Sequence, residues 1–134
     1  MIVLSKDMEV GVKKIDDQHR ELIDRINAVT SMGVKSVSTE ETLKTINLLG
    51  DYIVKHFNDE ENLQIQSGYP DYAVHKKQHE LLIAEYKKIK NAFEAEGPSI
   101  KFTLDLNKSL VEWIVRHIKS VDIKFGKYYN AQNK

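Results

Sequence analysis

Five histidines occur in the 134-residue chain: His19, His56, His75, His79 and His117. All five fall at spacings compatible with metal binding. Two carboxylates keep register with them, Glu60 four residues after His56 and Asp122 five residues after His117. Imidazole and carboxylate together suit iron, manganese, zinc or copper. The chain has no cysteine, which excludes disulfides, thiolate ligands and iron–sulfur clusters. Seven ligands exceed the four of a tetrahedral zinc site. Two metals are therefore expected, with one carboxylate on each of two helices able to bridge them. Two divalent ions carry four positive charges; two carboxylates and a bridging hydroxide reduce that to a charge small enough to bury. Taken singly, each histidine is better read as a hydrogen-bonded core residue, and Glu60 or Asp122 as a solvated surface charge. The joint case differs, because burying so many polar groups in one layer is costly unless something pairs them.

The elements that must position these residues are helical. Asp16 is expected to cap a first helix, which buries Leu22, Ile23, Ile26 and Val29 and ends at Gly33. Ser38 and Glu41 have the spacing of a capping box. A second helix follows, with Leu43, Ile46, Leu49, Ile53, Phe57 and Leu63 on one stripe. Gly68 suits its C-terminal stop, and Pro70 the first turn of a third helix. That helix buries Tyr72, Leu82, Ile83, Tyr86, Ile89 and Phe93, and Gly97-Pro98-Ser99 breaks it. The fourth uses Leu106, Leu110, Trp113, Ile114, Val121 and Phe125. The expected architecture is all-α. A single domain over 1–134 holds an extended arm at 1–15 and helices at about 17–33, 39–67, 71–96 and 103–130. Short connections make it an up-down-up-down antiparallel four-helix bundle.

In an antiparallel hairpin, residues equally far from the turn lie at the same height. With the first turn near residue 36, His19 lies 17 before it and His56 lies 20 after. With the second near residue 68, His56 and Glu60 lie 12 and 8 before it, and His75 and His79 lie 7 and 11 after. About the third, near residue 99, His75 and His79 again match His117 and Asp122 to within a few residues. All seven land in one layer. The pairs His56/Glu60 and His75/His79 are i, i+4 and share a helix face. His117 and Asp122 are five apart, which at ~100° per residue separates them on an ideal helix. A widened π-turn between them would bring both inward, and such turns often mark functional sites.

Lys plus Arg and Asp plus Glu both number 20, so the net charge is zero. Nothing in that balance favours nucleic acid or an anionic membrane. Hydrophobic residues make up 41% and charged residues 30%, as in ordinary globular proteins. No apolar run approaches the ~20 residues of a membrane span, and a cytoplasmic location is the default expectation.

These residues make the chain resemble the hemerythrin family, in its bacterial single-domain form. The resemblance is carried by Gly11 with Ile15-Asp16-Asp17-Gln18-His19, by His56-Phe57-Asn58-Asp59-Glu60-Glu61, by Tyr69-Pro70 leading to His75-Lys76-Lys77-Gln78-His79, and by Trp113-Ile114-Val115-Arg116-His117-Ile118 with Asp122. The segments run in the family's order over nearly the whole chain. The resemblance implies two non-haem iron ions joined by an oxo or hydroxo bridge, and reversible binding of dioxygen. It implies that His75, His79 and His117 hold one iron, which is coordinatively full. His19 and His56 would hold the other, which keeps a position open for dioxygen, while Glu60 and Asp122 bridge. In that chemistry each ferrous ion gives dioxygen one electron, and the bridging hydroxide gives its proton. Ile23, Ile53, Phe57, Trp113, Ile114 and Ile118 are the expected apolar lining of the open position. Three residues depart from the family's pattern: Leu4 for a common tryptophan, Gln64 for a frequent methionine and Ile114 for leucine. All three are expected to lie clear of the ligands.

An oxygen carrier, store or supply protein is thus the leading expectation, with dioxygen as partner and no enzymatic role. The alternatives are a diiron enzyme acting on peroxide or nitric oxide, an oxygen or redox sensor domain, and an interaction bundle with a structural zinc. Every histidine is accounted for as a ligand, which leaves no evident general acid for the enzyme.

Overall fold

The computed structural model describes residues 3–34 and 38–132, apart from the side chains of residues 33 and 34. Four helical rods make up the molecule, and no strand occurs among the described residues. The first three are α1 (Lys13–Val34), α2 (Thr39–Ser67) and α3 (Tyr72–Glu96). The fourth rod runs as α4 (Ile100–Asp105), a π segment (Leu106–Val111), α5 (Glu112–His117), a second π segment (Ile118–Asp122) and α6 (Ile123–Gln132). Its joints keep right-handed helical backbone angles, −58° and −48° at Leu106 and −59° and −49° at Ile118, so the rod is continuous. Each rod packs on the next in chain order, giving the antiparallel four-helix bundle expected from the short connections.

Local chemistry explains most of the boundaries. The Ser38 side chain accepts a hydrogen bond from Glu41 N at 3.1 Å and starts α2. Gly68 ends it with φ of 68°, a left-handed position that other residues enter at a steric cost. Ser99 accepts from Phe102 N at 3.0 Å and starts α4, so the fourth rod begins at Ile100, three residues earlier than expected. Pro70 stands ahead of α3 instead of in its first turn. It lies in a tight turn closed by Tyr72 N donating to Tyr69 O at 3.2 Å.

The arm and the start of α1 differ from expectation. Helix α1 begins at Lys13, so Asp16 is inside it and is not its cap. The Asp16 carboxylate reaches back to the arm and accepts from Val10 N at 2.7 Å and Gly11 N at 3.2 Å. An aspartate in the first turn satisfies backbone donors ahead of the helix as readily as donors within it. The arm holds a 3₁₀ turn at Lys6–Met8. It buries Met8, Val10 and Val12, and Asn130 Nδ2 donates to Gly11 O at 3.1 Å. At its other end α1 continues past Gly33 to Val34.

The core is a continuous apolar cluster that includes Ile15, Leu22, Ile26, Leu49, Ile53, Leu82, Phe93, Leu110 and Phe125. Leu43, Leu63, Tyr72, Ile83, Trp113 and Val121, expected in the buried stripes, are only half-buried. Among the described residues no helix is long and apolar enough to cross a membrane.

Candidate metal centre

All seven expected ligand residues converge in the middle of the bundle. His19 comes from α1, His56 and Glu60 from α2, His75 and His79 from α3, His117 from α5, and Asp122 from the second π segment. They are buried to between 0% and 5% exposure, in the same layer as the apolar core. The widened turn expected between His117 and Asp122 is present as the segment Ile118–Asp122. It absorbs the five-residue spacing, so that His117 Nε2 and Asp122 Oδ1 lie 3.0 Å apart.

The cluster has two overlapping halves. One contains His75, His79 and His117 with Glu60 and Asp122; the other contains His19 and His56 with the same two carboxylates. In each half the candidate ligand atoms lie within 4.8 Å of one another. Ring centroids repeat the division: His19 and His56 are 4.8 Å apart, while His75 lies 4.5 Å from His79 and 4.9 Å from His117.

The carboxylates and imidazoles of this layer shift one another strongly. Burial and the nearby Asp122 both push the Glu60 carboxyl up, yet contacts with His75 and His79 outweigh them and hold it at about 2. Burial also raises Asp122, and His117, His19 and His75 more than reverse it, leaving it well below the ordinary value. Burial lowers His75, but Asp122 and Glu60 carry it up to about 9. Burial dominates at His56, which falls to about 4. Glu60 Oε1 lies 3.1 Å from His75 Nε2 and 3.0 Å from His79 Nε2. Even so, both Glu60 oxygens and the Nε2 atoms of His79 and His19 lack a partner in hydrogen-bonding geometry. Buried polar atoms of this kind are rare unless something else satisfies them. Imidazole nitrogens and carboxylate oxygens converging at such distances fit metal ions of intermediate softness.

Behind the inward nitrogens stands a set of residues that sequence reasoning missed. His56 Nδ1 lies 2.8 Å from Gln18 Oε1. His75 Nδ1 lies 2.6 Å from Gln64 Nε2, His79 Nδ1 2.8 Å from Glu61 Oε2, and His117 Nδ1 3.0 Å from Gln78 Oε1. Such contacts fix ring orientation and tautomer at metal sites. Gln64 corrects an expectation directly: it touches His75 instead of lying clear of the cluster. The signal available was its place eleven residues before His75 across a short turn, as His56 and Glu60 are placed.

Of the expected apolar lining, Ile23, Ile53, Phe57, Ile114 and Ile118 are buried. Phe57 stacks on His79, with centroids 3.8 Å apart. Trp113 is half-buried and stacks on His117, with centroids 4.6 Å apart.

Comparison with known proteins agrees with this geometry. The family profile described as "Hemerythrin HHE cation binding domain" matches residues 10–128. The bacteriohemerythrin of Stenotrophomonas maltophilia is 33% identical over 98% of this chain and 83% of its own length. That of Methylococcus capsulatus is 30% identical over 87% and 86%. The myohemerythrin of Sipunculus nudus is 27% identical over 92% and 89%. A crystal structure of wild-type hemerythrin superposes with a TM-score of 0.84 at 28% identity, covering 96% of this chain and 97% of that one. With its helical order, its paired carboxylates and these relatives in agreement, the chain belongs to the hemerythrin family.

Proposed function

We propose that this protein binds dioxygen reversibly at a non-haem diiron centre and serves as a carrier, store or supply protein. One observation supports the reading above others: the two halves of the cluster share both carboxylates. A pair of metals bridged by Glu60 and Asp122 requires that sharing, whereas a single zinc would leave three of the seven residues idle. In this reading His75, His79 and His117 complete one iron, and His19 and His56 hold the other with a position left open. When bound, the iron pair supplies the two electrons that reversible dioxygen binding needs.

The chain's own residues account for the rest. Three imidazoles on one side of the carboxylate bridge and two on the other would disperse charge without adding anions; the five histidines outnumber the two carboxylates. Gln18, Gln64, Glu61 and Gln78 hold four of the rings in place. Ile23, Ile53, Ile114 and Ile118, each at 3% exposure or less, exclude water and so limit loss of charged oxygen species. All five histidines face the cluster, so none is left to deliver protons as an enzyme acting on peroxide or nitric oxide would need.

Metal analysis with optical spectra tests the reading. Two irons per chain and a visible band that appears under dioxygen and fades on its removal are expected. One zinc per chain and no colour would overturn it, and rapid peroxide turnover with an electron donor would put the enzyme in its place. His79→Ala is expected to lose iron; a variant that keeps two irons would contradict the ligand assignment.

A further inference from the structure

Among the seven candidate ligand residues His117 is the most exposed, at 5% where the other six stand at 1% or less. One face of its ring is covered by the indole of Trp113, a helical turn earlier in α5, with centroids 4.6 Å apart and planes 16° from parallel. Trp113 is the one tryptophan of the chain and is half-buried. It and His117 both border an open groove of about 240 Å³ between α3 and the fourth rod, completed by Gln78, Arg116, Ser120 and Val121.

The two-histidine half is built differently. Among the described residues, the rings packed on His19 and His56 are each other's and that of Phe57, at 4.8 Å and 5.7 Å. The rest of the expected lining is isoleucine, buried to 3% exposure or less. Phenyl rings and aliphatic chains give up an electron far less readily than an indole or a phenol. Tyr69 too lies on the three-histidine half, but it meets His75 edge-on, with centroids 6.5 Å apart.

We propose that Trp113 is the electron-entry residue of the metal centre. A one-electron donor in solution meets the indole in this groove, and the electron passes through the stacked rings of Trp113 and His117 to the iron of the three-histidine half. The inference rests on the diiron reading and on His117 as a ligand. Chemistry within that reading creates the need: whenever dioxygen leaves as a reduced species, ferric iron stays behind and binds no dioxygen until it is reduced. In each transfer the donor loses one electron and one ferric ion becomes ferrous. No bond to either ring forms or breaks, and two transfers restore the pair. Overlapping ring faces carry an electron better than an edge contact or a saturated chain. Entry from this side leaves the apolar wall of the two-histidine half closed to water.

The experiment loads the wild type, Trp113→Phe and Trp113→Tyr with iron and oxidises each to the ferric form. Each is then mixed anaerobically with hexaammineruthenium(II), a one-electron donor too bulky and too charged to enter the buried layer. Loss of the ferric absorption gives the rate, with iron content and thermal unfolding recorded alongside. Expected are fast reduction of the wild type and loss of that fast phase in Trp113→Phe, whose ring still stacks. Trp113→Tyr, whose phenol again yields an electron, should recover it. Equal rates in Trp113→Phe and wild type would overturn the proposal and leave the diiron reading standing. Slow reduction in both variants would assign Trp113 to packing and overturn the proposal as well. A wild type that never holds two irons would overturn the diiron reading, and the proposal with it. Should Trp113→Phe fail to hold iron, the emission of the lone tryptophan in iron-free wild type decides. Quenching by hexaammineruthenium(III) supports contact with a donor in the groove, and emission as protected as that of a core indole overturns it.

Discussion

The ring of Phe57 lies flat on the ring of His79, with centroids 3.8 Å apart and planes within 2° of parallel. Phe57 follows His56 directly in sequence, yet its ring covers a histidine of another helix. Because α2 places the two neighbours on different sides of the layer, one turn of helix both supplies a ligand candidate and braces a second. Phe57→Ala is expected to cost about 3–5 kcal/mol through the cavity it leaves. Phe57→Leu should cost less while freeing His79 to tilt. Urea unfolding reads the first effect, and faster iron release from Phe57→Leu reads the second.

Asp16 ties the arm to α1 through two backbone donors, at 2.7 Å and 3.2 Å. Asp16→Ala removes both acceptor contacts and leaves Val10 N, in a buried residue, without its partner. A loss of about 1.5–3 kcal/mol is expected, since each bond is to an ionised group. Denaturant unfolding measures it. Limited proteolysis should show earlier cleavage ahead of Lys13 in the variant.

Gly126 lets the arm lie against α6. A Cβ there would stand 2.1 Å from Val10 O and 2.5 Å from Val10 Cγ1. Gly126→Ala gains about 1 kcal/mol of helix propensity in isolation. Overpacking against a backbone carbonyl, at about 1–3 kcal/mol, should exceed that gain. A fall in the thermal midpoint is the expected result. A rise would show that the arm yields freely.

Tyr86 donates its hydroxyl to Ile46 O at 2.6 Å, and its ring fills the space that Gly50 leaves open. Burial pushes this hydroxyl up to about 12 from an ordinary 10.0. Below pH 10 the phenol is neutral in both folded and unfolded chains. Between 10 and 12 the unfolded chain ionises first, so this contribution to stability declines and is gone once pH passes the folded value. Tyr86→Phe should cost about 1 kcal/mol at neutral pH and decline less steeply above pH 10. Unfolding free energies measured across that range for both proteins check the difference in slope.

The layer in which the candidate ligands converge was legible because histidine and carboxylate spacings obey helix geometry, and His117 with Asp122 even announced the widened turn that the structure contains. The residues behind these candidates were not. Gln18 precedes His19 and Gln78 precedes His79, but chain neighbours cannot share a helix face. Each therefore serves a histidine on a different helix, Gln18 bonding His56 and Gln78 bonding His117. Glutamine on a helix otherwise has the pattern of a solvated side chain. Asp16 was misplaced for a related reason: its composition fits a cap, and only the path of the arm shows which donors it meets.

The two widened segments of the fourth rod alter its timing. Phe102, Leu106, Leu110, Ile114, Ile118, Asp122 and Gly126 are all buried, and each follows the last by four residues. Six such steps use 24 residues, where six ordinary α-helical turns take about 22. An unbroken α-helix with this rhythm would wind its buried stripe around to the solvent side. Here the surplus of about two residues is taken up at two places, one on either side of α5. The rod thus behaves like a clock corrected twice, and His117 stands in the interval between the corrections. A one-residue deletion in either segment would let that stretch close into ordinary α-helix and keep the later hours in phase, whereas straightening a segment at full length would turn them out of phase with the other three helices.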